Sequence, residues 1–347
     1  MAMLLALDSG FGNTKLYFKF ENTSYVRDFE SRVKETNLKT DSTLIINGKM
    51  YDFKDAPLAT EMGHKTKEDE IHRVLRNKAL YEVYKITGEK EFDIITNCSL
   101  DSYKKDRGQS IKQMNEEEKS IQIEDYFGEK VTLKINKIEC YAENLAGLII
   151  SNDINLAEDT VIAIDIGTKN LQVLKLAEGK LIKTYSSTLG MNQVYLDAFD
   201  VVKTVTNKIN SPSDVKSYLR RTHKKLNEPI PEIDEAIYKS LETEIFPEID
   251  NVLQGLDSLY TKYIYIGGGS DYLQRFLIRK FKEEKEYDSY FTKDSYFANA
   301  IGLYARGEKL LGYKNGSKIQ SGSKTQNSGT KGKSTSKKKK ETNAEGK

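Results

Sequence analysis

Short apolar runs that end at glycine-containing turns set the pattern at the start of this chain. Residues 3–7 are apolar and stop at Asp8, Ser9 and Gly10, after which residues 16–20 alternate apolar and polar positions. An apolar run, a tight turn and an alternating run predict two strands joined by a turn. The dipeptide Asn47-Gly48, placed between two further strand-like runs, predicts a β-hairpin.

The opening pattern occurs a second time. The segment ALDSGFGNTKLYF at residues 6–18 corresponds to AIDIGTKNLQVLKL at residues 163–176. An internal repeat at this separation indicates two domains of similar plan. A third apolar run at residues 263–266 ends at Gly267, Gly268 and Gly269, and we expect a helix over residues 271–285 with its cap at Ser270 or Asp271.

Helical spacing of apolar residues separates these strands. The segments with this spacing are residues 72–84, 143–150, 191–209, 233–246 and 296–310. Strands mixed with helices over the whole chain predict an α/β architecture.

Length and composition are those of a globular protein. The chain has 347 residues, 38% hydrophobic and 31% charged, and its length favours two domains. It has no run of about 18 apolar residues, so we expect no membrane-spanning helix. The apolar start meets Asp8 early and lacks a basic region, which favours a buried strand over a signal peptide. Two cysteines, Cys98 and Cys140, are too few for a disulfide framework, and we expect a cytoplasmic protein without membrane contact.

Positive charge is concentrated at the C-terminal end. Residues 315–347 contain nine lysines against two glutamates, a net charge of +7, whereas the whole chain carries +2. The segment has one large apolar residue, Ile319, and is predicted to be a disordered basic tail. Four consecutive lysines, residues 337–340, suit electrostatic contact with nucleic acid or another acidic surface; the alternative is a solubilising tail.

The three glycine turns are the first candidates for chemistry. They contain Gly10 and Gly12, then Gly167, then the triplet that begins at Gly267. Glycine lets backbone N–H groups approach a ligand, and clustered N–H groups favour phosphate. One such turn alone is more typical of an ordinary connection, but three in this order favour a phosphate site. No GxxxxGK[ST] motif occurs, so the site is not a P-loop.

Two aspartates hold equivalent places in the repeat. Asp8 and Asp165 each end a buried strand, where an uncompensated charge is costly. Mg²⁺ is a natural partner, because it takes one or two carboxylates together with phosphate oxygens and water. Lys15 is a candidate charge for a β- or γ-phosphate, and the alternative is a surface lysine on a strand.

These segments resemble motifs of the actin, heat-shock chaperone and sugar kinase ATPases. Asp8-x-Gly10-x-Gly12-x-x-Lys15 resembles the first phosphate motif of that superfamily, and Asp165-x-Gly167-Thr168 resembles the second. Residues 266–270 (IGGGS) resemble its adenosine motif, and residues 141–147 and 298–303 resemble its two interdomain helices. All five occur in the order found in the superfamily.

The resemblance implies a fold and a domain plan. It implies two ribonuclease H-like domains of the actin fold, in the α/β class, that flank a nucleotide cleft. Domain I would comprise residues 1–158 and 297–314, with an inserted subdomain at about 30–90, and domain II would comprise residues 159–296.

The resemblance also implies ligands and site residues. ATP would be bound with Mg²⁺, and Asp8 and Asp165 would hold the ion through water. The residues implied to contact ATP are Ser9, Gly10, Gly12, Asn13, Thr14, Lys15, Gly167, Thr168, Lys169, Gly267, Gly268, Gly269 and Ser270. Glu143 would position the water that attacks the γ-phosphate, which makes Glu143, Asp8 and Asp165 the implied catalytic set; the alternative for Glu143 is a solvated residue at a helix start. The adenine would lie against the helices of residues 191–244.

Within the superfamily, the chain is most similar to bacterial plasmid-segregation actins of the ParM type. The segments that carry this likeness are residues 31–33 (SRV), 46–48 (ING) and 295–304 (SYFANAIGLY). Two segments depart from the pattern. Residues 96–100 (TNCSL) stand where many relatives have a Thr-Gly-Leu-Pro-type turn, and Thr168-Lys169 replaces a second glycine and a threonine.

The function implied is that of an ATPase whose filaments turn over and move DNA. Its expected partners are further copies of itself and an adaptor protein bound to centromere-like DNA. A small-molecule kinase of the same superfamily remains an alternative, although no catalytic aspartate for a substrate hydroxyl stands out. A chaperone would need a substrate-binding domain after the ATPase, and a nucleotide-sensing scaffold that does not polymerise is the non-enzymatic alternative.

Overall fold

The computed structural model describes residues 2–59, 69–106, 109, 118–151, 154–256, 260–314 and 317–318. The predicted basic tail lies outside the described residues apart from 317–318. The strands are β1 (Met3–Ser9), β2 (Asn13–Phe20), β3 (Thr23–Glu30), β4 (Lys34–Glu35), β5 (Thr43–Ile46), β6 (Lys49–Asp52), β7 (Glu91–Cys98), β8 (Ser120–Glu124), β9 (Lys130–Ala142), β10 (Thr160–Ile166), β11 (Leu171–Ala177), β12 (Lys180–Ser187), β13 (Lys262–Ile266), β14 (Ser289–Phe291), β15 (Tyr313–Lys314) and β16 (Ser317–Lys318).

Helices alternate with these strands. They are α1 (Glu70–Thr87), α2 (Leu100–Asp106), α3 (Leu145–Leu148), α4 (Met191–Val202), α5 (Pro212–His223), α6 (Pro231–Thr243), α7 (Ile245–Gln254), α8 (Gly267–Tyr272), α9 (Gln274–Leu277) and α10 (Ala298–Leu311), with a π-helical stretch at Ile278–Glu284 and a 3₁₀ turn at Ser295–Phe297. None of the described helices is long and apolar enough to cross a membrane.

Two large sheets share one strand order. Sheet I runs β3-β2-β1-β7-β9-β8-β5-β6-β4, and sheet II runs β12-β11-β10-β13-β14. In each, an antiparallel meander of three strands lies beside strands that run parallel to its first strand. The predicted internal repeat and the predicted α/β fold class of two ribonuclease H-like units are therefore confirmed.

The central strand of each sheet is covered on both faces. Along β1, Leu5 and Leu7 belong to a core shared with α1, whereas Leu4 and Ala6 belong to a core shared with α10. Strand β10 alternates in the same way between two cores. Burial on both faces explains why these strands are continuous apolar runs in the sequence.

Two helices lie where the chain connects one sheet to the other, and they cross each other. Helix α3 follows β9 of sheet I, and α10 follows the last elements of sheet II and packs on β1. A Cβ atom added at Gly302 would lie 1.8 Å from the carbonyl oxygen of Ala146, so α10 and α3 cross with their backbones in contact. Strands β4 to β6 extend sheet I through the pairing of β5 with β8. The domain boundaries themselves stay a prediction.

Most predicted elements form, and the glycine triplet behaves differently from the prediction. The hairpin at Asn47-Gly48 has positive φ at both residues, 51° and 84°. The helix expected from residue 271 begins instead at Gly267, and Ile266 precedes it, so the predicted cap at Ser270 or Asp271 is wrong. A Cβ atom at Gly269 would lie 2.4 Å from the carbonyl oxygen of Ile166, which shows that glycine here serves close helix-to-strand packing.

Candidate active site

The first two glycine turns have the same local geometry. The backbone N–H of Gly10 donates to the carbonyl oxygen of Asn13 at 3.1 Å, and the N–H of Gly167 donates to that of Asn170 at 2.8 Å. Each turn joins the first two strands of its sheet. The sequence repeat therefore places two matching turns at the same end of two matching sheets.

The strand register sets which side chains face each other beside these turns. Asp8 on β1 pairs with Lys15 on β2, and Asp165 on β10 pairs with Gln172 on β11. The two aspartates thus occupy equivalent positions, as the sequence predicts. Their cross-strand neighbours differ, because one is a cation and the other a neutral amide.

The two turns meet around a cavity of about 190 Å³, to which both aspartates contribute. A Cβ atom at Gly12 would lie 2.2 Å from Oγ1 of Thr168, so the turns are in contact. The Lys169 ammonium group lies 4.7 Å from the ring centroid of Phe11, in a cation–π arrangement that links the second turn to the first.

Asp8 is held by two donors. The residue is 2% exposed, and its carboxylate accepts a hydrogen bond from the side-chain amide of Asn97 at 2.6 Å. The Lys15 ammonium group lies 3.5 Å from its other oxygen. The charge of Asp8 is therefore compensated although the residue is buried.

Asp165 lies in a less compensated environment. Asn299 on α10 donates to its carboxylate at 3.1 Å, and a Cβ atom at Gly267 would lie 2.0 Å from its other oxygen. Burial, followed by repulsion from Glu143, raises the pKa of Asp165 to about 7. A cation beside this carboxylate would relieve the cost of its charge.

Glu143 is contacted on both carboxylate oxygens. The amide of Asn97 lies 3.4 Å from Oε1, and the amide of Gln172 lies 3.4 Å from Oε2. Asn144 donates to the oxygen of Gln172 at 3.2 Å, which leaves the amide nitrogen of Gln172 toward Glu143. Glu143 therefore stands between an amide of sheet I and an amide of sheet II, beside the cavity.

The residues present fit a magnesium ion that completes its coordination with phosphate and water. Within the described ranges, no group of three or more His, Cys, Asp or Glu side chains is placed to hold a metal by itself. Asp8 and Asp165 reach the cavity as two separate carboxylates, one of them with a raised pKa. This is the donor set that Mg²⁺ uses with nucleotides, in contrast to the larger oxygen cage of a calcium site.

The predicted site residues divide into two groups. The cavity is lined by Asp8, Gly10, Gly12, Asn13, Lys15, Glu143, Asp165, Gly167, Thr168, Lys169, Gly268 and Gly269. Four others are not part of the lining: Ser9, Thr14, Gly267 and Ser270. Ser9 donates its N–H to Asn97 at 2.9 Å, and the Thr14 hydroxyl lies 3.0 Å from that of Ser31. The role of each predicted residue toward ATP stays a prediction.

Several lining residues were not predicted. On the sheet II side they include Met191, Asn192 and Tyr195 of α4, Lys216 and Arg220 of α5, and Tyr272 and Tyr296. The sequence predicts that the adenine lies against the helices of residues 191–244 but names no residues there. Gln172 also lines the cavity, and its alignment with Lys15 in the repeat is a signal in the sequence. Asn97 contacts Asp8 and Glu143 from outside the lining, and its signal is its place in a segment that departs from the family pattern.

Two polar contacts join β3 to lining residues of α5 and of the 3₁₀ turn. Lys216 of α5 donates to Glu30 of β3 at 3.0 Å, and the Tyr296 hydroxyl donates to Asp28 of β3 at 2.7 Å. Although burial raises the pKa of Glu30, hydrogen bonds from Arg32 and Lys216 leave it below its ordinary value. We call these two contacts the clasp.

Two related sheets, two crossing connecting segments and a cavity between matching turns define the actin-like fold, in the form found in ParM-type proteins. Comparison with solved structures gives the same result. Ta0583, an archaeal actin homolog, matches with a TM-score of 0.68 and 19% identity over 89% of this chain and 100% of that chain. The apo pSK41 ParM protein matches with a TM-score of 0.63 and 17% identity over 89% and 98% of the two chains.

A 15-stranded ParM filament from Clostridium botulinum also matches, with a TM-score of 0.65 and 16% identity over 89% of this chain and 99% of that chain. At such identities the likeness establishes the fold. No protein-family model matches the sequence, and no curated protein sequence matches it significantly.

Proposed function

We propose that this protein binds and hydrolyses ATP in the presence of Mg²⁺ and polymerises into filaments under the control of the bound nucleotide. The observation that carries the proposal is that Asp8, Asp165 and Glu143 line one cavity between two matching glycine turns. Three carboxylates and Lys15 around a cavity bordered by glycine suit a metal-bound triphosphate better than a neutral ligand.

Each residue type has a role in this proposal. Lys15 neutralises charge on the β- or γ-phosphate, and Asp8 and Asp165 hold the hydrated Mg²⁺, which neutralises developing charge on the phosphates. Glu143 accepts a hydrogen bond from the attacking water and orients it. Phosphoryl transfer needs mainly such positioning and charge neutralisation, because the protein forms no covalent bond.

The filament part of the proposal draws on the fold and on its relatives. Solved structures with this fold include filaments, among them AlfA bound to AMPPNP. A head-to-tail contact whose rotation does not close produces a helical polymer. We propose that the filament acts in the cytoplasm to segregate plasmid or other DNA through an adaptor on centromere-like DNA, and that the basic tail contacts nucleic acid directly.

The test measures polymer and phosphate together. Purified protein is incubated with Mg²⁺ and ATP, ADP or no nucleotide, followed by sedimentation, electron microscopy and phosphate release. We expect ATP-dependent polymer, and for Glu143→Ala a polymer that persists while phosphate release slows by about 10²-fold or more. Glu82→Ala, an exposed glutamate on α1 outside the cavity lining, is the matched control for hydrolysis.

The outcomes separate the alternatives. Phosphate transfer that requires an added hydroxyl compound would indicate a small-molecule kinase. Nucleotide binding with neither phosphate release nor polymer over a range of salt concentrations would indicate a scaffold, and would refute both parts of the proposal.

A further inference from the structure

Asn97 joins three chain segments that meet at the cavity. It lies in β7 and is 1% exposed. Its side-chain amide contacts the N–H of Ser9 at 2.9 Å, the carboxylate of Asp8 at 2.6 Å and the carboxylate of Glu143 at 3.4 Å. Every polar atom of the amide is therefore engaged, and two of its partners are the carboxylates with different proposed roles.

The orientation of the amide follows from its partners. The backbone N–H of Ser9 can only donate, so Oδ1 of Asn97 must face it. The NH₂ group is then directed at the two carboxylates, which can only accept when ionised. Rotating the amide by 180° would put its oxygen against two carboxylates and its NH₂ against an N–H.

We propose that Asn97 is a positioning residue that couples the Mg²⁺ carboxylate, Asp8, to the carboxylate that orients water, Glu143. The inference rests on the proposed function and extends it to a residue outside the predicted site. One NH₂ group that donates to both carboxylates offsets their repulsion and fixes the direction of each. The positions of the ion and of the attacking water are thereby linked through one side chain.

Asn97 lies in one of the two segments where the sequence departs from the motifs of the ParM-type proteins it resembles. Residues 96–100 (TNCSL) replace a Thr-Gly-Leu-Pro-type turn, and a glycine in place of Asn97 would have no side chain to make these contacts. On the opposite side, Gln172 of sheet II contacts the second oxygen of Glu143. Glu143 directly follows β9, and its backbone N–H donates to the carbonyl oxygen of Cys98 in β7 at 3.0 Å, so its contact with Asn97 lies within sheet I.

Two substitutions separate positioning from packing. Asn97→Ala removes the amide, and Asn97→Asp keeps the shape but puts an oxygen against Asp8 and Glu143. We expect kcat to fall about 10- to 100-fold in Asn97→Ala and further in Asn97→Asp. The Mg²⁺ concentration that half-saturates binding of the fluorescent probe N-methylanthraniloyl-ATP should rise about tenfold in Asn97→Asp, while probe affinity in EDTA stays within about threefold.

The matched control is a buried asparagine outside the cavity. Asn77 of α1 is 1% exposed, and its amide donates to Glu118 at 3.2 Å. Asn77→Ala should lose thermal stability and keep kcat and the Mg²⁺ requirement of the wild type. In a Glu143→Ala background, Asn97→Ala should lower kcat by clearly less than the 10- to 100-fold expected in the wild type, since only its contact with Asp8 is left to lose.

The results distinguish the inference from the function on which it rests. If the wild type hydrolyses ATP and Asn97→Ala keeps kcat within about twofold of it, the coupling is wrong and the proposed function stands. If the wild type releases no phosphate, the proposed hydrolysis fails, and the Mg²⁺ titration decides about Asn97: an unchanged requirement in Asn97→Asp overturns the coupling, and a raised one supports it. Should Asn97→Asp fail to fold, the same comparison is made with Asn97→Ala.

Discussion

Replacing Asp165 by asparagine should change how the stability of the nucleotide-free protein depends on pH. Burial is the main cause of the raised pKa of Asp165; Glu143 and Asp8 add to it by repulsion, and Lys15 and Asn299 act against it. A carboxyl group whose pKa is raised in the folded state binds more protons there than in the unfolded chain. The free energy of unfolding therefore falls as pH rises from about 4 to about 7 and levels off above that.

The size of the effect follows from the two pKa values. A folded-state pKa of about 7 against an ordinary 3.8 corresponds to at most about 4 kcal/mol, at about 1.4 kcal/mol per tenfold change in proton affinity. An asparagine at this position stays neutral, and its side-chain oxygen can accept the hydrogen bond of Asn299. We expect Asp165→Asn to match the wild type near pH 4 and to exceed it near pH 8 by up to roughly 10 °C in Tm.

The assay is thermal and urea unfolding of both proteins in EDTA, without nucleotide, from pH 4 to 8. Because other groups titrate over this range, the informative quantity is the difference between the two proteins at each pH. Asp159→Asn is a control of opposite sign, since the hydrogen bond from Lys262 lowers the pKa of Asp159 and stabilises its charged form. Parallel pH profiles for the wild type and Asp165→Asn would refute the reasoning.

Two further predictions concern the clasp and the crossing of the connecting helices. Glu30→Gln or Lys216→Met breaks the half-exposed ion pair of the clasp and should speed release of N-methylanthraniloyl-ATP by about two- to fivefold, measured by stopped flow. The double variant should release the probe no faster than either single variant. Additive effects on the release rate would show that the two residues act separately. Gly302→Ala should lower the free energy of unfolding by about 2 kcal/mol or more in urea titration, because its Cβ would meet the carbonyl oxygen of Ala146. Gly255→Ala is the control and should be tolerated, because the atom nearest to its Cβ would lie 3.8 Å away. Equal losses of stability in the two variants would contradict the close crossing of α3 and α10.

The sequence predicts the repeat well because its signals are local. An apolar run and a glycine turn report on a few neighbouring residues, and two such sets with the same spacing identify Asp8 and Asp165 as equivalent. The period of a strand also explains why one of the predicted residues, Thr14, does not line the cavity. Alternate side chains face opposite sides, so Asn13 and Lys15 line the cavity and Thr14, between them, is turned to Ser31.

The rest of the site depends on contacts between distant segments. Asn97 reaches Asp8 across 89 positions of the chain, and no local pattern reports which strand will lie beside β1. The start of the helix at the glycine triplet is predicted wrongly for a related reason. Glycine in a sequence indicates freedom of the backbone, but at Gly269 the cause is the nearness of Ile166, which only the packed structure reveals.

The difference between Lys15 and Gln172 has a consequence for how a ligand can be oriented. If the two halves of the cavity carried the same side chains, an elongated anion would make equivalent contacts at either end. It could then bind in two reversed directions. A cation in one half and an amide at the matching register of the other remove that ambiguity. An anion bound here would therefore meet a cation on the sheet I side and a neutral amide at the matching position on the sheet II side.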